Sequence, residues 1–210
     1  MKRFLLILII IIITSSMILV GASCTMAAAA KPTQNEFIGS DFELSLPEGW
    51  EGGNKEELDS VAEELKDIDR DQLADEVEAS KFDLLFFGYD SEAAALGGSV
   101  NDFTITGEPA AFLSLDKYME LTYASVEEEY EKAGYSFNII EQNIVPLGNY
   151  EEVGRVIFEQ TVEGVKTKVA QYIIKHESDF WVLTFTAGVE QFDQDMQAFD
   201  KTIETFKIID

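Results

Sequence analysis

From Asp41 onward, apolar and polar side chains alternate. Phe42, Leu44 and Leu46 stand against Glu43 and Ser45, and the run stops at Pro47, as a half-buried strand should. After the turn at residues 47–50 the period lengthens. Across residues 51–80, Leu58, Val61, Ala62, Leu65 and Ile68 recur at helical spacing, with Asn54 and Glu57 placed as a capping box. Period two returns at 82–89 and 100–106, separated by the small residues of 93–98. A helix over 114–132 carries Leu115, Tyr118, Met119, Thr122, Val126 and Tyr130 on one stripe. Strands then dominate: 137–145 reaches a turn at 146–149, 153–161 pairs with 165–175 across Glu163 and Gly164, and 180–187 follows the turn 176–179. This order predicts an antiparallel meander. Residues 180–185 are apolar at both alternating positions, which predicts a central strand covered on both faces and therefore helices on both sides of the sheet. A closing helix over 192–205 offers Phe192, Met196, Phe199 and Ile203, followed by Phe206. The fold class expected is α+β, an α/β/α sandwich around a mostly antiparallel sheet.

The start of the chain follows a different rule. Met1, Lys2 and Arg3 precede an unbroken apolar run over 4–13, which Met17 to Val20 extends. This is the pattern of an export signal. Gly21, Ala22 and Ser23 then lead into Cys24, small residues before a cysteine as at the lipobox where bacterial lipoprotein signals are cut and the cysteine acylated. Gly21 departs from the Leu usual at that position. The reading is a signal peptide over 1–23, an acylated Cys24 opening a tether over 24–40, and one domain over 41–210. The competing readings are an uncleaved membrane helix over 4–20, at the short limit for spanning a bilayer, and an ordinary secreted product. A diacylglyceryl group would supply the two chains that stable anchoring needs. The expected location is the extracytoplasmic face of the cell membrane.

Composition narrows the chemistry. The 210 residues hold 40 acids against 15 Lys and Arg, a formal charge of −25. Removal of residues 1–23 would take Lys2 and Arg3 and no acid, so the membrane partner must be held by lipid on Cys24, not by basic charge. Nucleic acid is not expected as a partner. One Cys and one His, Cys24 and His176, rule out internal disulfides and Cys/His catalysis and leave little for a zinc site. No cofactor and no metal are expected.

Taken together, "SDFELSLPEGW", the acidic helical insert, "KFDLLFFGYD", "SVNDF", "LSLDKYMELT" and the ending "WVLTFTAGVEQFDQDMQAFDKTIETFK" resemble bacterial lipoproteins related to PsbP. That family takes its name from an extrinsic subunit of photosystem II, and its fold also occurs in a Ran-binding nuclear-import factor. The resemblance covers residues 41–210 and implies the sandwich already expected. It rests on the order of elements, so it implies neither photosynthesis nor any catalytic or ligand residue.

Five candidate features carry chemistry. Asp67, Asp69, Asp71, Asp75 and Glu78 match positions 1, 3, 5, 9 and 12 of a calcium loop, but Gln72 stands where the loop needs Gly. Asp69 and Gln72 read better as a capping box opening a second helix. Ser114 and Lys117 have the spacing of a Ser/Lys dyad without its companion motifs, so Ser114 is expected as a helix N-cap. His176 sits in a polar turn with no nucleophile beside it. Trp181 is expected in the core, whereas Trp50, after a turn, is the better candidate for a surface contact. Lys166 and Lys168 share a strand face with Lys175 at its far end, which reads first as a solvated strand face and, as the functional alternative, as a basic patch for docking an acidic partner. The expected function is a non-enzymatic binding or assembly module with a protein partner. The alternatives are an acidic cation-binding surface protein and a hydrolytic enzyme.

Overall fold

The computed structural model describes residues 36–96, 100–110 and 112–209. The apolar run, the lipobox-like residues and Cys24 lie outside them. Among the described residues no helix is long and apolar enough to cross a membrane.

Seven strands form one antiparallel sheet in the order β3-β4-β5-β9-β8-β7-β6. These are β3 (Trp50–Asn54), β4 (Leu84–Asp90), β5 (Asp102–Pro109), β6 (Ser136–Leu147), β7 (Tyr150–Val162), β8 (Val165–His176) and β9 (Asp179–Gly188). The meander is present, and β9 is its central strand. Its hairpins close tightly: Glu163 and Gly164, at φ 51° and 87°, form the β7–β8 turn with both central residues left-handed, which matches the twist of the flanking strands. A smaller sheet, β1-β2-β10, joins β1 (Glu36–Ile38), β2 (Phe42–Ser45) and β10 (Lys207–Ile208). β1 lies inside the stretch read from sequence as tether, so the paired structure reaches back to Glu36.

Among the described residues the helices are α1 (Leu58–Asp67), α2 (Asp71–Ser80), α3 (Ser91–Ala95), α4 (Leu115–Ala133) and α5 (Val189–Thr205). One face of the large sheet is covered by α5 and the small sheet. There Phe103, Leu183 and Phe185 pack with Phe42, Phe199, Ile203 and Phe206. The opposite face carries two separate helical units. α4 lays Tyr118, Met119, Val126 and Tyr130 on Phe158, Val169, Ile173 and Val182. At the other end, α1 and α2 close over Leu84, Phe87 and Tyr89. Fully burying each Phe or Leu contributes about 1.5–3 kcal/mol, which explains why the apolar stripes fixed these three layers. α4 approaches its sheet closely: a Cβ on Gly154 would lie 2.5 Å from Met119 Sδ.

Two expectations are corrected. Residues 50–54, read as the lead-in to a helix, are strand β3. A Cβ on Gly52 would sit 2.4 Å from the Phe87 carbonyl oxygen, so glycine admits the neighbouring strand while erasing the alternation that would have marked β3. The Asp69/Gln72 capping box does not form. Arg70 is the N-cap of α2 and no side chain caps it. Asp69 instead ends α1, at φ 60°, with its N–H donating to Lys66 O and the Arg70 N–H to Leu65 O, a Schellman closure.

Candidate functional site

Between the two helical units, the middle strands present polar side chains where their neighbours present apolar ones. Thr104 on β5 faces Thr184 on β9, which faces Gln171 on β8. One ladder further along, Asp102 faces Thr186. All five are buried, Thr104 at 4% exposure. Gln171 Nε2 donates to Thr184 Oγ1 at 3.0 Å, and the Tyr123 hydroxyl, reaching down from α4, donates to Gln171 Oε1. The Thr104 and Thr167 hydroxyl oxygens, also buried, make no hydrogen bond. A second bridge under α4 runs from the Tyr130 hydroxyl to Gln160 Oε1 at 2.5 Å. At the foot of the seam the Tyr118 hydroxyl donates to Glu108 Oε2 at 2.8 Å.

Electrostatics follow from burial. Desolvation raises the Glu108 carboxyl above the ordinary carboxylate range, opposed by the hydrogen bond from Tyr118. The hydroxyls of Tyr118 and Tyr123 are pushed far above the ordinary phenol value, first by desolvation and then by the Glu108 charge, so both remain donors. At the opposite end of the sheet Asp195 of α5 accepts from Asn101 Nδ2 at 2.8 Å, and burial followed by repulsion from Asp90 raises its carboxyl. The seam therefore offers neutral donors and acceptors with a few carboxyls. Among the described residues no three His, Cys, Asp or Glu side chains converge to hold a metal ion.

The residues nominated from sequence fall elsewhere. Asp67 ends α1, while Asp71, Asp75 and Glu78 lie along α2, so the acids follow two helices in place of one calcium loop. Lys66 joins those helices through Glu78 at 2.6 Å. Ser114 is the N-cap of α4, accepting from the Lys117 N–H, and the Lys117 ammonium pairs with Glu120 at 2.6 Å. His176 faces Asp179 across the β8–β9 turn.

Trp50 is buried, at 5% exposure between Phe185 and Phe199, so it offers no surface contact, and Trp181, expected in the core, packs half-buried at its margin against Phe42 and Phe206. The basic patch does not exist. Lys168 pairs with Asp193 beside Phe192, and Lys166 pairs with Glu159. Lys175 lies on the other face, over Phe180. Odd and even positions of a strand point to opposite faces, which separates Lys175 from the other two. The apolar character of residues 180–185 masks Thr184 and with it the polar seam. The T-x-T spacing of Thr104 with Thr106 and Thr184 with Thr186 was its visible signal.

No family model matches the chain, and no curated protein matches it in sequence. Its architecture is matched by a solution structure of cyanobacterial PsbP (CyanoP) from Synechocystis sp. PCC 6803, with 8% identity, a TM-score of 0.57 and coverage of 88% of this chain and 99% of that one. LpqN of Mycobacterium tuberculosis, involved in cell envelope biogenesis, is 13% identical, with a TM-score of 0.48 over 82% of this chain and 86% of that one. The Ran-binding protein Mog1p of Saccharomyces cerevisiae is 10% identical, with a TM-score of 0.38 over 54% of this chain and 70% of that one. The fold is PsbP-like, α+β with a large, mostly antiparallel sheet.

Proposed function

We propose that the chain is a lipoprotein of the extracytoplasmic membrane face whose PsbP-like domain acts as a binding or assembly module and performs no bond chemistry. One observation carries the anchor: Cys24 stands directly after Gly21, Ala22 and Ser23 at the end of an apolar run, in a chain with no other thiol. An exported protein with a single cysteine gains no internal disulfide from it, whereas acylation gives it a use. Supporting the absence of chemistry, Ser114 is committed to capping α4 and Glu108 to holding the Tyr118 hydroxyl. The seam of Thr104, Thr184 and Gln171 offers directional hydrogen bonding without a reactive group.

Metabolic labelling with a tagged fatty acid tests the anchor. Wild type is expected to take up label and to migrate as a processed chain, and Cys24→Ala to lose the label and accumulate as precursor. An unlabelled, unprocessed wild type together with a variant that still partitions with membranes would make the apolar run a transmembrane helix.

A further inference from the structure

One end of the large sheet is unlike the rest of the surface. It is the end where β4 and β9 begin and β5 and β8 finish, as Leu84 opposite Thr106 and His176 opposite Asp179 fix. Phe82, in the turn before β4, is 78% exposed, and Phe112, in the loop after β5, is 103% exposed. They are the two exposed phenylalanines among the described residues. Ile38 and Ile209 are exposed at the same end, where the Ile209 N–H donates to Asp41 O just before Phe42 packs on Phe86 and Trp181. Single exposed apolar side chains are ordinary, but a group of four at one end, including both phenylalanines, marks a contact surface.

Each phenylalanine loop is bound by a lysine. Lys55 Nζ donates to Phe82 O at 3.4 Å, and Lys175 Nζ donates to Leu113 O at 2.7 Å while lying over the Phe180 ring. Lys81 stands next to Phe82 and pairs with Asp59 at 2.8 Å. Asp41, Asp83, Glu177 and Asp179, all exposed, add acids to a rim of both signs. The opposite end of the sheet carries Asp90 at the end of β4 and Glu92 just after it, and Glu190 and Asp193 after β9.

We propose that the end bearing Phe82 and Phe112 rests on the phospholipid bilayer, with the two rings in the headgroup region and the lysine stems beside them. This rests on the anchored reading above. Each exposed ring stands on a loop that a lysine ties down, so the apolar group is presented from a fixed backbone, as a bilayer interface requires. The mixed rim suits zwitterionic headgroups, which also carry both signs. A second copy of the chain is the poorer occupant, because it would bring together two strongly acidic bodies, each with 40 acids against 15 Lys and Arg before processing removes Lys2 and Arg3. The geometry permits the contact: eleven residues separate Cys24 from Glu36 and span at most about 40 Å when extended. Glu36 lies opposite Ser45 on β2, only about 10 Å from the tip at strand rise.

The test uses the full acylated chain reconstituted in vesicles of brominated phosphatidylcholine, with Phe82→Trp, Phe112→Trp and, as control on the outer face of α4, Leu121→Trp, each read against wild type. Emission from positions 82 and 112 is expected to shift to the blue and be quenched by the brominated chains, and emission from position 121 to stay unchanged. Chains that float with the vesicles but show no quenching at 82 or 112 overturn the bilayer contact and leave the anchor standing. Chains that do not float overturn both. Equal quenching at 121 overturns the specific end-on contact. A blue shift that needs no vesicles and grows with protein concentration assigns the tip to a second copy.

Discussion

At the scale of single residues, Trp50 is the more deeply buried of the two tryptophans, although Trp181 stands in the more apolar strand. Trp50 follows a turn yet sits between two buried phenylalanines, because β3 carries it under α5. Trp50→Ala should therefore destabilise by about 3–5 kcal/mol in denaturant melts, and Trp181→Ala distinctly less, since Trp181 already meets water at the core margin. The reverse order would move Trp181 inward. The polar seam gives a second expectation. Tyr123→Phe leaves the buried Gln171 carbonyl without its donor and should cost about 1–3 kcal/mol. Replacing both partners, Tyr123→Phe with Gln171→Leu, should recover part of that loss in a double-mutant cycle. Glu108 sets a pH dependence. Its folded carboxyl titrates above its ordinary value of 4.5, so the folded state binds the proton more tightly than the unfolded chain. That contribution is complete below pH 4.5 and is lost as pH rises through the higher folded value. Glu108→Gln, which keeps an acceptor for Tyr118, should flatten this decline in melting temperature measured across weakly acid pH.

At the scale of elements, long periodic segments were legible and glycine-rich or polar-ended ones were not. The stripe from Leu115 to Tyr130 announced α4, and Ser114 its cap, because burial and capping use local spacing. β3 was hidden by Gly52 and Gly53, which serve a neighbouring strand and leave no alternation. The boundary between α1 and α2 was placed correctly for the wrong reason. Asp69 ends a helix in a left-handed conformation usually held by glycine, while its sequence neighbours suggested that it starts one. Asp69→Gly should thus raise stability by up to about 1 kcal/mol, where Asp69→Val should lower it, as chemical denaturation will show. The same geometry places Asp67, Asp71, Asp75 and Glu78 on two helices. Millimolar calcium should therefore leave the melting temperature unchanged. A calcium-specific rise, lost in Asp71→Asn with Asp75→Asn, would restore a cation site there.

The whole molecule joins a strongly acidic surface to an apolar core of three layers. A formal charge of −25 opposes compaction, so raising ionic strength from low to physiological should raise the melting temperature before any specific salt effect enters. The sandwich was legible because the strand order and the doubly apolar β9 leave few alternatives. The seam was not, because it is assembled from strands that are distant in sequence and meet only through register: β5 ends at Pro109 and its partner β9 begins only at Asp179. The proposed anchor joins this domain to a membrane through one atom, Cys24 Sγ. The most direct measurement is the intact mass of the native protein extracted from membranes. A chain beginning at Cys24, heavier than its sequence by a diacylglyceryl group, is the predicted result; a chain that still begins at Met1 with an unmodified thiol would contradict it.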